Sequence, residues 1–146
     1  MQTPTPAPAT APNSCLELYK AIAAVQAEMP RLVKNSEANT GKFGYKYITL
    51  DAIWDVLRPL LTKHGLIVLN ALDGQLLYTR LIHVESGEET SCPFPINTSQ
   101  PPQQIGSAFT YARRYALCAL LQIVADKDDD GAAAQNGRPV QQTPAF

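Results

Sequence analysis

Between Leu66 and Ile96 the chain holds three strand-like runs, Leu66 to Ala71, Gln75 to Val84 and Glu89 to Ile96, separated by the short turn signals Asp73-Gly74 and Ser86-Gly87. No other stretch narrows the fold so far. Turns this short join antiparallel neighbours, whereas parallel strands need a crossover of about a dozen residues or more. The runs therefore predict an antiparallel meander. Pro93 and Pro95 lack the amide hydrogen that a central strand must donate, which places the third run at an edge. In the second run Leu76, Tyr78, Arg80, Ile82 and Val84 share one face and Leu77, Thr79, Leu81 and His83 the other. Neither face is cleanly polar, so this run is predicted to be central.

Helical periodicity frames the meander. Leu18, Ile22, Val25 and Met29 recur as one helix stripe, preceded by a Ser14/Glu17 capping box and followed by Pro30. Ile53, Trp54, Leu57 and Leu61 form a second stripe, which Thr49 or Asp51 can cap and Gly65 stops. Pro59 lies inside it, and a kink or early break is expected near Asp55 to Arg58 because a proline nitrogen cannot donate. A longer third helix, with Ser99 and Pro101 at its start, buries Ile105, Phe109, Ala112, Ala116, Leu120 and Ile123. Ser107, Thr110 and Arg114 gather opposite that stripe, and Arg113 sits at its edge. From Arg31 to Lys42 the chain is polar and aperiodic, and Phe43 to Ile48 then alternates as a strand. The predicted fold is α+β, an antiparallel β-meander with helices packed on one face, in the order α-β-α-β-β-β-α.

A chain of 146 residues with 45% hydrophobic content is expected to build one core. The folded domain is predicted over 14–130, between tails at 1–13 and 131–146 whose Pro, Ala, Thr, Gly and Gln content cannot bury enough apolar surface to order them. No apolar run reaches the roughly 18 residues that span a bilayer, and the first residues lack a secretory pattern. A cytoplasmic protein without membrane partners is expected. Cys15, Cys92 and Cys118 are odd in number and lack metal-ligand spacing, so they read as reduced thiols, with no metal site. There is no GxxxxGK[ST], GxSxG or HExxH sequence, and the expectation is a protein without catalytic residues or cofactor. Net charge is −1, but the run from Asp126 to Asp130 holds four of the 13 acidic residues. Any grip on a polyanion must then come from a local basic strip rather than a global field.

Two such strips exist. Gly41-Lys42-Phe43-Gly44-Tyr45-Lys46-Tyr47 interleaves lysines with aromatic rings, the pairing by which single-stranded nucleic acid is held through phosphate and base. The same pattern also fits a sheet edge with core-facing aromatics and edge lysines. The second strip is the helix carrying Thr110, Arg113 and Arg114 beside Tyr111 and Tyr115. Their coincidence favours a shared groove, with Lys42, Lys46, Arg113 and Arg114 on phosphates and Tyr45, Tyr47, Tyr111 or Tyr115 against bases or ribose. Thr110 and Arg80 complete the candidate nucleic-acid contacts, Arg80 being equally suited to a structural ion pair. His64 reads as a helix-terminal residue and His83 as a sheet histidine. Asp126, Asp128, Asp129 and Asp130 could hold Mg²⁺ in a metal-dependent nuclease, but a nearly consecutive acidic run more commonly solvates. A protein-interaction adaptor, its arginines paired with a protein partner, is a further reading.

The chain resembles the ERF (essential recombination function) family of phage and prophage single-strand DNA annealing proteins over roughly Leu16 to Gly131. The resemblance rests on Tyr45-Lys46-Tyr47-Ile48-Thr49-Leu50 and on Leu57-Arg58-Pro59-Leu60-Leu61 through Lys63-His64-Gly65-Leu66. It continues in Gln104-Ile105-Gly106-Ser107 with Thr110-Tyr111-Ala112-Arg113-Arg114-Tyr115-Ala116-Leu117, and in the closing Asp128-Asp129-Asp130-Gly131. It implies a non-enzymatic protein of the bacterial host cytoplasm. Such a protein coats single-stranded DNA, pairs complementary strands without ATP in recombination and repair, and assembles as a homo-oligomer, ring or filament. A host or phage single-strand-binding protein or exonuclease is an implied candidate partner. The sequence given stops soon after Gly131, where the family carries a longer C-terminal extension, so functions housed in such an extension are not expected here.

Overall fold

In the computed structural model, residues 15–40 and 43–124 are described, with the backbone alone at 39, 40 and 43–45. Along them run α1 (Leu16–Glu28), β1 (Ser36–Thr40), β2 (Phe43–Tyr47), α2 (Leu50–Lys63), β3 (Leu66–Asp73), β4 (Leu76–His83), β5 (Glu89–Pro95) and α3 (Pro102–Leu121). The fold is α+β as expected. The three-stranded sheet β3-β4-β5 is the anticipated antiparallel meander, with Leu69 opposite Arg80 and Arg80 opposite Ser91. β4 is its centre and β5 an edge. The tight connection from Asp73 to Leu76 is made possible by Gly74, whose φ of 57° is open to glycine without strain.

Period-two alternation sorts the meander into two faces. Leu77, Thr79 and Leu81 of β4 are buried, whereas Tyr78, Arg80 and Ile82 are only partly covered. All three helices pack on the side of Leu77, Thr79 and Leu81. There Leu81 joins Leu18 and Val25 of α1, Ile53 and Leu57 of α2 and Leu117 and Leu121 of α3 in the main core. A smaller cluster of Leu77, Ile96 and Ala112, flanked by Phe94, Ile105 and Phe109, fixes the first half of α3 on β4 and β5. The one buried polar side chain of the sheet, Thr79, accepts a 2.8 Å hydrogen bond from Asn70 Nδ2 across the strand pair, which removes the cost of burying its hydroxyl oxygen.

Three local features differ from the sequence reading. First, the polar stretch after Arg31 contains a strand, β1, which pairs antiparallel with β2 as a separate two-stranded sheet, Ser36 opposite Tyr47 and Glu37 opposite Lys46. Ser-Glu-Ala-Asn-Thr has no apolar alternation to announce a strand, and its hydrogen bonds come from the partner. Second, α2 runs unbroken to Lys63 with Pro59 inside it. Pro59 and Asp55 are both exposed, so the carbonyl that loses its partner can face water, while Leu57 and Leu61 remain buried on the other side. Third, α1 is capped by Cys15 without a side-chain hydrogen bond, and Ser14 of the expected capping box lies outside the described residues. Instead Leu18 N–H donates to Glu88 Oε2 at 2.6 Å, a carboxylate from the distant β4–β5 turn at the positive helix end.

α2 follows expectation at both ends. Thr49 Oγ1 accepts from Ala52 N–H at 3.3 Å, and Gly65 stops the helix at φ 67°. The expected tails at 1–13 and 131–146, Lys42, and the acidic run from Asp126 to Asp130 all lie outside the described residues. Among the described residues no helix is long and apolar enough to cross a membrane.

Candidate nucleic-acid interface

The register of the β1–β2 hairpin decides which of its side chains can meet α3. Ser36, Ala38 and Tyr47 share one face of the two-stranded sheet, and Glu37 and Lys46 share the other. The first face turns to α3, where Ala38, Tyr47, Ser107, Thr110, Tyr111 and Arg114 line an open pocket of about 320 Å³. At its centre the Arg114 guanidinium stands 4.4 Å above the Tyr47 ring centroid, with Tyr111 at 5.4 Å and Tyr115 at 5.6 Å. Each distance falls within cation–π range. Arg114 has no carboxylate partner among the described residues.

That geometry has a chemical consequence. A guanidinium within reach of three rings still carries five N–H donors in a planar fork, the group that matches a bidentate anion. Tyr111 and Tyr115, one helical turn apart, stack on each other at 4.3 Å and remain 41% and 46% exposed. Phe94 of β5 supports them, 5.9 Å from Tyr111 in an edge-on arrangement and 6.3 Å from Tyr115. Partly exposed tyrosine rings of this kind are the group on which nucleic-acid bases stack. Thr110 Oγ1 donates to Gly106 O at 3.3 Å, which leaves the hydroxyl oxygen able to accept. Beside them Gly106 has nothing within 4 Å of where a Cβ would sit.

The other sequence candidates stand elsewhere. Lys46 lies on the far face of the hairpin, lining a second shallow depression with Lys34, Asn35, Ser36 and Glu37. Arg113 is half-buried on the flank of α3 and does not line the Arg114 pocket. Arg80 ion-pairs with Glu89 on the meander face turned away from α3. For Tyr45 only the backbone is described, opposite Ala38. Thus the structure brings Tyr47, Thr110, Tyr111, Arg114 and Tyr115 together, adds Phe94, and separates Lys46 and Arg80 from them. Phe94 had no sequence signal beyond its place in an edge strand.

The remaining reactive groups have structural partners. His64 Nε2 lies 3.2 Å from Glu28 Oε2, and His83 Nδ1 lies 2.7 Å from Ser86 Oγ in the β4–β5 turn. Cys118, one turn beyond Arg114, has its thiol pKa raised by burial, against the opposing pull of the guanidinium, which keeps it a poor nucleophile. No group of three or more metal-ligating side chains occurs among the described residues.

This α+β frame sets the Arg114 guanidinium within cation–π distance of Tyr47, Tyr111 and Tyr115 on one side of α3. The chain belongs to the ERF superfamily, whose family model matches residues 18–145, and at family level this means annealing of single-stranded DNA in phage recombination. No curated protein and no solved structure matches the chain.

Proposed function

We propose that this protein binds single-stranded DNA without sequence preference and anneals complementary strands without ATP, acting as a homo-oligomer in phage homologous recombination. The observation that carries the reading is Arg114, within cation–π distance of Tyr47, Tyr111 and Tyr115 and without a carboxylate partner among the described residues. In this reading Arg114 takes a phosphate, Thr110 and Ser107 accept or donate beside it, and Tyr111 and Tyr115 receive one or two bases. Holding the strand by backbone and base face leaves the pairing edges free for a complement. Lys46 and Arg113 act as outlying charges that follow the same backbone, with Lys42 and Tyr45 as further contacts; Arg80 serves the sheet through Glu89. Each protomer offers few phosphate contacts, so many protomers on one strand are needed for tight binding.

The test is fluorescence anisotropy with a labelled single-stranded oligonucleotide. Arg114→Ala should weaken binding by about ten- to a hundredfold, the range of a charge-assisted hydrogen bond, and lower the slope of log affinity against log salt by about 0.7. Arg113→Ala should have a much smaller effect. A folded Arg114→Ala protein that binds as the parent does would exclude the pocket. In the same preparation, mixed complementary strands should anneal without ATP and keep their lengths in Mg²⁺; shortened strands would favour a nuclease built on the terminal aspartates.

A further inference from the structure

Pro93-Phe94-Pro95 places one aromatic ring between two residues whose φ is locked, in the edge strand β5. Ile96 N–H donates to Gln75 O at 2.8 Å, and Phe94 stands opposite Leu77. Hydrogen-bonded positions alternate along an antiparallel pair, so this register turns the N–H of Phe94 toward β4 and leaves Pro93 and Pro95 at outward positions. The prolines therefore stiffen β5 without costing the sheet a hydrogen bond. On the helix side of the sheet Phe94 packs against Leu77, Ile96 and Ala112, half-buried between β4, β5 and α3. Its ring has a rigid mount.

Tyr111 and Tyr115 have no such mount of their own. Both rings project from the surface of α3 and are exposed, and an exposed side chain changes rotamer readily unless a neighbour holds it. They stack on each other with planes 33° apart, and both meet Phe94, Tyr111 edge-on at 66° and Tyr115 at 37°. Arg114 approaches the same two rings, but its guanidinium is the group that a phosphate draws on. Phe94 is the member of this aromatic trio that belongs to the sheet.

We propose that Phe94 is a positioning residue for single-strand binding. It holds Tyr111 and Tyr115 in the arrangement that receives a base, makes no contact with the strand itself, and so sets how much of the affinity comes from bases rather than phosphates. Rings that are ordered before the strand arrives have already lost their rotamer freedom, and stacking a base on them then costs less. The inference rests on the reading in which Arg114 takes a phosphate and the two tyrosines receive bases. It divides the labour of that site: the phosphate share of binding depends on Arg114 and the base share on Phe94.

Fluorescence anisotropy with two labelled probes of equal length, an oligothymidylate and the same backbone carrying abasic spacers, separates the shares. The parent should bind the oligothymidylate more tightly by about fivefold or more, the gain from one stacked base. Phe94→Leu keeps an apolar side chain on the cluster but removes the ring; it should bring the ratio close to one, while the abasic probe binds as before and the salt slope stays at the parent's value. Phe94→Tyr, which keeps the ring, should restore the ratio. Should Phe94→Leu fail to fold, NMR of the parent with oligothymidylate decides: base protons must show contacts to Tyr111 or Tyr115 and none to Phe94. A folded Phe94→Leu protein with the parent's ratio, one weakened equally for both probes, a Phe94→Tyr protein that does not restore the ratio, or a base against Phe94 would each overturn the proposal. A parent indifferent to bases would overturn it too and leave the phosphate site standing, whereas normal binding by Arg114→Ala would remove the reading beneath it.

Discussion

The two sheets are held in place by different means. The meander buries one face against three helices, with Leu81 and Thr79 almost fully enclosed. In the β1–β2 hairpin no described side chain is buried: Ser36, Ala38 and Tyr47 are half-covered and Glu37 and Lys46 are exposed. An isolated hairpin is marginal in water, so contacts at its ends must fasten it. At the base, Asn35 Oδ1 accepts from Thr49 N–H at 2.9 Å while Asn35 Nδ2 donates to Thr49 Oγ1 at 3.0 Å, a latch onto the cap of α2. At the α3 side, Arg114 stacks on Tyr47. One sheet owes its stability to burial, and the other to polar and cation–π contacts of the kind a bound strand can compete for or reinforce. The comparison teaches that the stable part of this molecule is a platform and the hairpin an adjustable wall of the pocket.

The largest test falls on the platform. Leu57 is fully buried where α2 meets the core, and Leu57→Ala should cost about 2–5 kcal/mol of stability by urea titration. Both sheets should then unfold in one transition, because no described side chain of the hairpin is buried. If circular dichroism and the fluorescence of Trp54 gave separate midpoints, the division between platform and dependent wall would need redrawing.

A smaller effect is expected at the latch. Asn35→Ala removes both hydrogen bonds to Thr49, and the exposed position limits the global loss to about 1 kcal/mol. Its signature should be local: amides of β1 and β2 exchange faster while those of β3, β4 and β5 keep their protection. Equal loss of protection in both sheets would break the comparison outright. Single-strand binding should weaken along with the hairpin, since Tyr47 then stands less firmly opposite Arg114.

How much of this could be read from the chain depends on where each signal is stored. The meander and α2 were legible because Asp73-Gly74, the prolines of β5, Thr49 and Gly65 act within a few residues of themselves. β1 was not, since Ser36 to Thr40 becomes a strand only when β2 is beside it. The cap that Glu88 supplies to α1 crosses 70 residues of sequence, a distance no local pattern reaches. For the pocket, the residue types are visible in the sequence: Tyr47, Thr110 and Arg114 are all candidates from residue type and spacing. Helical phase also placed Arg113 apart from Arg114. What sequence could not supply is which elements face each other, and that turns Lys46 away from Arg114, puts Arg80 on the opposite side of the meander, and sets Phe94 behind Tyr111 and Tyr115.

The smallest effect sharpens the platform side of the comparison, where α1 and α2 end together. Glu28 Oε1 accepts from Lys63 Nζ at 2.8 Å and Glu28 Oε2 lies 3.2 Å from His64 Nε2, joining the last turn of α1 to the last turn of α2. The hydrogen bond from Lys63, followed by that from His64, holds the Glu28 carboxyl below its ordinary value of 4.5. A carboxyl with a depressed folded-state pKa contributes stability that is present above its unfolded pKa and is lost as the pH falls through the folded one. Glu28→Gln should therefore lower the melting temperature slightly at pH 6 and leave it unchanged well below pH 4, so that the parent and variant curves converge on acidification. Because the clamp joins two helices of the platform, single-strand binding at pH 6 should be the same in both proteins. A variant whose deficit persisted undiminished in acid would show that Glu28 acts through packing rather than charge, and one that lost DNA binding would place this helix junction in the adjustable part of the molecule.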